Sequence, residues 1–204
     1  MAMPTTILER WALTPDELTQ IVDQNASLRG MLVGYIAESK LRQLFERSGR
    51  VSSLAKDDDH DRRKKGDLVF TYRGHEFRIE SKSLQTTMTK RLGNGRFEGG
   101  AQCDASDRRP VKLARGRKIE TTCLLVGEFD ILAVCLFDFT GRWDFCFALN
   151  RDLPRSTYKR YPPAVRAQLI KSLVPVTLPL SAPFVDEPFV LLDRLVAERG
   201  RSRS

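Results

Sequence analysis

The sequence predicts an α/β fold built on one mixed sheet of about five strands flanked by helices. Three stretches predict it. Residues 27–47 carry apolar side chains at helical spacing, residues 67–82 read as strand, turn and strand, and Phe129 to Phe139 (FDILAVCLFDF) is apolar on both faces over most of its length, as a central strand should be. At 204 residues the chain is long enough for one domain with a sizeable core. The expected organisation is a single domain over 1–198, with its core at about 28–149, a C-terminal helical extension at 150–198 and a disordered basic tail at 199–204.

Taken in order, Thr14-Pro15-Asp16-Glu17 marks a helix start, because Thr14 can cap, Pro15 suits the first helical position and Glu17 completes the capping box. In the helix over 27–47, Leu28, Met31, Leu32, Tyr35, Leu41, Leu44 and Phe45 make the apolar stripe, and Glu38 interrupts it. A carboxylate aimed at a core is costly unless something pairs with it; the alternative is a boundary residue whose head reaches solvent. Residues 48–66 read as a loop, and the charge run Lys56 to Lys65 within it reads as a solvated connector.

Asp67 to Tyr72 and His75 to Lys82 then form a hairpin about an Arg73-Gly74 turn. Arg96 to Ser106 and Thr121 to Val126 follow as strands. After the central strand, Trp143 to Leu149 alternates, with Trp143 and Phe145 either core or surfaces for stacking on bases. Helices are expected at Pro163 to Leu173 and Pro188 to Glu198, separated by a Pro-rich stretch.

Composition narrows the class. Hydrophobic residues at 41% and charged residues at 29% exclude wholesale disorder. The net charge of +8 favours a polyanion as partner. Residues 84–118 hold nine Lys or Arg against three acids, and the difference of +6 is most of that excess. Four cysteines without a CxxC pair do not suggest a zinc site and fit a reduced, cytoplasmic protein. The N-terminus reads as no signal peptide, and no run approaches a membrane span.

The hairpin carries the chemistry. Antiparallel pairing returns the end of the second arm to the start of the first, so Asp67 meets Glu80 and Lys82 across twelve intervening residues. Strand alternation puts Glu80 and Lys82 on one face. Two carboxylates and an ammonium make a hard-oxygen site for Mg²⁺ or Mn²⁺, with the Ser81 carbonyl as a further ligand. Lys82 would position a water or neutralise developing charge, and Glu38 would add a carboxylate. Gln102 and Ser106 are candidates for the rim, and Arg108, Arg109, Lys90 and Arg91 for phosphate contacts.

The order of helical Glu38, Asp67 and Glu80-x-Lys82 on a hairpin resembles the PD-(D/E)xK nucleases, over roughly residues 28–149. The resemblance implies a restriction-endonuclease-like core, Asp67, Glu80 and Ser81 as metal ligands, and Mg²⁺-dependent cleavage of DNA in restriction, phage defence or repair. Gly66 departs from the proline of the superfamily's name, and no Gln-x-x-x-Tyr signature of the exonuclease branch is found. Two rivals stand beside this reading: a non-catalytic nucleic-acid-binding module, and an RNA-cleaving enzyme of the same fold. The expected partner is DNA, with RNA left open, no membrane, and a homodimer as one arrangement.

Overall fold

The computed structural model describes residues 5–55 and 66–201, so the charge run at 56–65 lies outside the described residues. Contacts divide the chain into two compact units, Met1–Ile36 and Ala37–Ser204.

The first unit contains α1 (Ile7–Trp11), α2 (Pro15–Gln24) and the beginning of α3 (Ala26–Ser48). The expected capping box is present. Thr14 Oγ1 accepts from the Glu17 amide at 3.2 Å, and Glu17 Oε2 accepts from the Thr14 amide at 2.8 Å. Thr6 and Glu9 repeat the device on α1, a helix of five residues too short to reveal a period in the sequence. No described residue of this unit is buried.

The apolar positions of α3 are not one stripe, which corrects the sequence reading. Met31, Leu32 and Tyr35 are exposed, whereas Ala37, Leu41 and Phe45 are fully buried in the second unit.

In that unit the main sheet has five strands in the order β1-β2-β3-β8-β9. They are β1 (Ser52–Ala55), β2 (Leu68–Tyr72), β3 (His75–Ser83), β8 (Ile131–Cys135) and β9 (Phe145–Leu149). The β2–β3 hairpin turns at Arg73 and Gly74, both at positive φ, as a two-residue hairpin loop requires. Strand β8 runs parallel to β3 and antiparallel to β9, which makes the sheet mixed. Beside it stand a sheet of β4 (Lys90–Gly93), β5 (Arg96–Gln102) and β10 (Leu173–Leu178), and a ribbon of β6 (Asp104–Lys112) and β7 (Lys118–Cys123). The short helices α4 (Phe137–Thr140) and α5 (Pro163–Arg166) and the last helix, α6 (Pro188–Arg201), complete the unit.

Both faces of the main sheet are covered. On one, Leu41 and Phe45 of α3 and Phe189 and Leu192 of α6 pack against Phe70, Phe77, Ile79, Ala133 and Phe147. On the other, Leu132, Val134, Cys146 and Ala148 meet Ala101, Cys103, Val174 and Val176. Every residue of β8 and β9 is buried, which is why their text is apolar throughout. The four cysteines are free and buried, and no helix among the described residues is long and apolar enough to cross a membrane.

Several expectations change. The central apolar run stops being strand at Cys135 and turns through α4, where Phe137 stacks on Trp143 at 4.3 Å. Of the two alternatives for Trp143 and Phe145 the structure shows core, Phe145 being buried and Trp143 half-buried against the same cluster. The expected helix at 163–173 is only Pro163–Arg166, and Leu173–Leu178 pairs with β5 over its whole length, so 150–198 is not a purely helical extension. The last helix continues through Arg201, so 199–201 of the expected tail are helical, and 202–204 lie outside the described residues. Arg199 holds it down, pairing with Asp130 at 2.6 Å, donating to the Glu76 carbonyl at 2.6 Å and lying 4.3 Å over the Phe77 ring.

Candidate active site

The hairpin register determines what the site contains. Leu68 pairs with Ile79, where the regular ladder ends, and the Asp67 amide donates to the Ile79 carbonyl at 2.8 Å, one residue out of that register. Asp67 therefore sits at the end of the hairpin, close enough to Glu80 and Lys82 for both charges to act on it. Its Oδ2 accepts from the Ser81 amide at 2.7 Å, which fixes the carboxyl at the end of the sheet. Ser81 is itself buried on the core face with Phe77 and Ile79, so only its backbone is available to the site.

Glycine at 66 has a local cause. Its φ is +96°, where proline, held near −65°, cannot go, and an added Cβ would meet Arg78 Cβ at 3.2 Å and the Ile79 carbonyl at 3.3 Å. Asp67 is aimed by a left-handed turn that only glycine makes cheaply.

Alternation places Glu80 and Lys82 on the opposite face from Ile79, and their heads meet at 2.8 Å with 12% and 22% of each side chain exposed. Burial, then the Glu80 charge, push the Asp67 carboxyl from 3.8 up to about 7; Lys82 and the Ser81 amide pull it back, and Glu38 adds to the rise. Burial pulls the Lys82 ammonium down, but Glu80 and Asp67 outweigh it and hold its pKa above the ordinary value. Glu38 therefore acts electrostatically on Asp67, and its Oε2 is sealed from solvent.

Cys103, which the sequence did not single out for this site, acts on Lys82 as a neighbouring group. Burial pushes its thiol up to about 12, so it is neutral and unreactive there. Its position comes from an isolated bridge between Leu84 and Ala101, which brings the end of β5 against the end of β3; Gln102, between two buried neighbours, is exposed.

The donors are hard oxygens, which fits Mg²⁺ or Mn²⁺. Among the described residues no three His, Cys, Asp or Glu side chains are gathered into a metal-binding group. A magnesium-type site does not need one, since it commonly takes one or two carboxylates and completes its shell with water and substrate phosphate.

The basic residues separate into two kinds. Arg108, Lys90 and Arg91 are exposed, Arg91 lying 5.8 Å over the Phe97 ring, and Ser106 is exposed too. Arg109, expected on phosphate, is held by Glu128 at 2.6 Å, with 20% and 7% of the two side chains exposed. Glu128 also accepts from the Leu125 amide at 2.8 Å, so this pair ties β6 to the turn after β7. Breaking so buried a pair leaves a charge uncompensated. Arg109→Ala is expected to cost about 3 kcal/mol, against less than about 0.5 kcal/mol for Arg108→Ala, as read from denaturant midpoints. Equal costs would show that Glu128 does not depend on Arg109.

No protein-family model matches the chain, and no curated protein matches its sequence. Among solved structures the chain is similar to a bacterial homing endonuclease, at 17% identity and a TM-score of 0.37, the match covering 68% of this chain and 87% of that one.

Proposed function

We propose that this chain is a divalent-metal-dependent nuclease of the PD-(D/E)xK kind that cleaves DNA, with Asp67, Glu80 and Lys82 as its catalytic residues. The observation that carries this reading is the crowding of Asp67, Glu80 and Lys82 at the end of the hairpin, with the Ser81 amide on the Asp67 carboxyl and the Lys82 ammonium on that of Glu80. A surface salt bridge needs neither the burial nor the crowding of carboxylates that raises Asp67 to about 7.

Asp67, Glu80 and the Ser81 carbonyl would hold Mg²⁺ or Mn²⁺, which supplies Lewis-acid polarisation of the scissile phosphate and a more acidic bound water. Glu80 and Asp67 hold the Lys82 ammonium charged, and from that position it would donate hydrogen bonds to the attacking water or to the developing charge. Glu38 modulates Asp67 through space. Arg108, Lys90, Arg91 and Gln102 form the exposed polar rim on which the nucleic-acid backbone would rest.

The deciding experiment incubates the pure protein with supercoiled plasmid, linear duplex, single strands and RNA, each with Mg²⁺, Mn²⁺ or EDTA. DNA should be cut with either metal and left intact with EDTA. Cleavage that survives thorough chelation would remove the metal from the reading, and cutting confined to RNA would replace the substrate. On duplex DNA, Arg108→Ala should make the slope of log affinity against log salt shallower by about 0.9 if it removes one phosphate contact.

Glu38→Gln keeps the shape and removes the charge. Cleavage is expected to fall about 10–100-fold, the usual cost of disturbing a group next to a metal ligand, with thermal stability unchanged or slightly higher. An unaltered rate across pH would return Glu38 to a purely structural boundary role.

A further inference from the structure

We infer that the outward face of the β6–β7 ribbon is the surface on which this chain holds duplex DNA, seated in the major groove of the B-form helix. The inference rests on the reading of the chain as an enzyme acting on nucleic acid, and it names the form of the substrate. From Arg108 to Lys118 the sequence holds six bases (Arg108, Arg109, Lys112, Arg115, Arg117, Lys118) and no acid. The fold sorts them by face. Arg109 turns inward to Glu128, while Arg108, Lys112, Arg117 and Lys118 are exposed. None of these four forms an ion pair with a described residue.

The register makes this arrangement costly. Lys112 stands directly opposite Lys118, and like charges facing across two strands repel. The next pair on that face is Pro110 with Glu120, so a single acid accompanies the bases there. A solvated ribbon gains nothing from the repulsion, whereas a polyanion laid across both lysines removes it.

Geometry selects the polyanion. On the inward side Val111, Leu113 and Ile119 pack with Val165 and Leu169. The tip is fixed as well: the Leu113 amide donates to the Arg117 carbonyl at 2.7 Å, and the Ala114 amide to Gln168 Oε1 at 2.7 Å. The free face is therefore ordered before anything binds, and docking costs little further ordering. Two strands with their side chains make a body about 10 Å wide, which the B-form major groove, about 12 Å across, admits. The bases then reach the phosphates that border the groove. The A-form major groove of duplex RNA is too narrow for side chains to enter. Strand β6 begins one residue after Cys103, the neighbour of Lys82, so the ribbon runs out from the candidate site.

Fluorescence anisotropy of the full chain on a short duplex DNA of mixed sequence, in EDTA to prevent cleavage, is the test. Lys112→Gln with Lys118→Gln should make the slope of log affinity against log salt shallower by about 1.8, at about 0.9 for each phosphate contact. Lys118→Glu should weaken binding about tenfold or more and yet raise the melting midpoint, because opposite charges then face across the strands. Methyl green, which occupies the major groove, should displace the protein, and netropsin, in the minor groove, should not. An unchanged slope, displacement by netropsin in place of methyl green, or duplex RNA bound as tightly as DNA overturns the inference. If both variants lose affinity only together with their melting midpoint, the lysines are structural and the inference falls. Cleavage of DNA with an unchanged slope would sink this inference and leave the nuclease reading; binding through the ribbon without cleavage in Mg²⁺ would do the reverse.

Discussion

Lys82→Ala is expected to lower the cleavage rate by about 10²–10³ while nucleic-acid binding persists, the range for removing a positioned hydrogen-bond donor from a transition state. The structure adds a consequence that separates this from simple damage. The ammonium is the partner of Glu80 at 2.8 Å and one of the groups that hold the Asp67 pKa down. Without it, two buried carboxylates face one another with less compensation, and the metal-free protein should lose stability. A divalent cation should restore more of that loss than it adds to the wild type, because it no longer competes with the ammonium. Melting curves with Mg²⁺ and with EDTA measure this directly. If Mg²⁺ moves the midpoint of the variant less than that of the wild type, Lys82 is itself needed to assemble the cation site. A variant that cuts at the wild-type rate would place the chemistry elsewhere.

What the sequence disclosed of this site was its local part. The Asp67, Glu80 and Lys82 juxtaposition follows from one two-residue turn and strict alternation, both determined within sixteen residues. The same locality explains why β2, β3 and the long helix α3 were legible. What was not legible depends on distant partners. Leu173–Leu178 is a strand because β5 offers it a complete edge, and its own Pro-containing text argues against a strand. Arg109 reads as a phosphate contact until Glu128 is found beside it, and Arg199 reads as tail until Asp130 and the Phe77 ring are. In α3 the two apolar faces merge in a simple spacing count, since the count records period and not direction. Glycine at 66 looked like a lapse from a motif; the positive φ there makes it a requirement.

Asp67→Asn should abolish cleavage and yet make the protein more stable above neutral pH. The sign follows from linkage. Asp67 keeps its proton up to about pH 7 in the folded chain, whereas an unfolded aspartate loses it near the ordinary value of about 4. Between those limits the folded state binds more protons, so wild-type stability falls as pH rises from about 4 to about 7 and is level beyond, with a total contribution of no more than about 4 kcal/mol. Asparagine is neutral throughout and can still accept from the Ser81 amide, so the variant loses that slope and keeps the hydrogen bond. At about 2–4 °C per kcal/mol for a chain of this size, the variant should melt several degrees higher at pH 8, with the advantage disappearing near pH 4. Mg²⁺ should raise the wild-type midpoint at pH 8 and have little effect on the variant, because the same charge that costs stability is the one that holds the cation. A variant no more stable than the wild type at pH 8, or one that retains the wild-type slope between pH 4 and 7, would show that the crowded carboxyl is not Asp67.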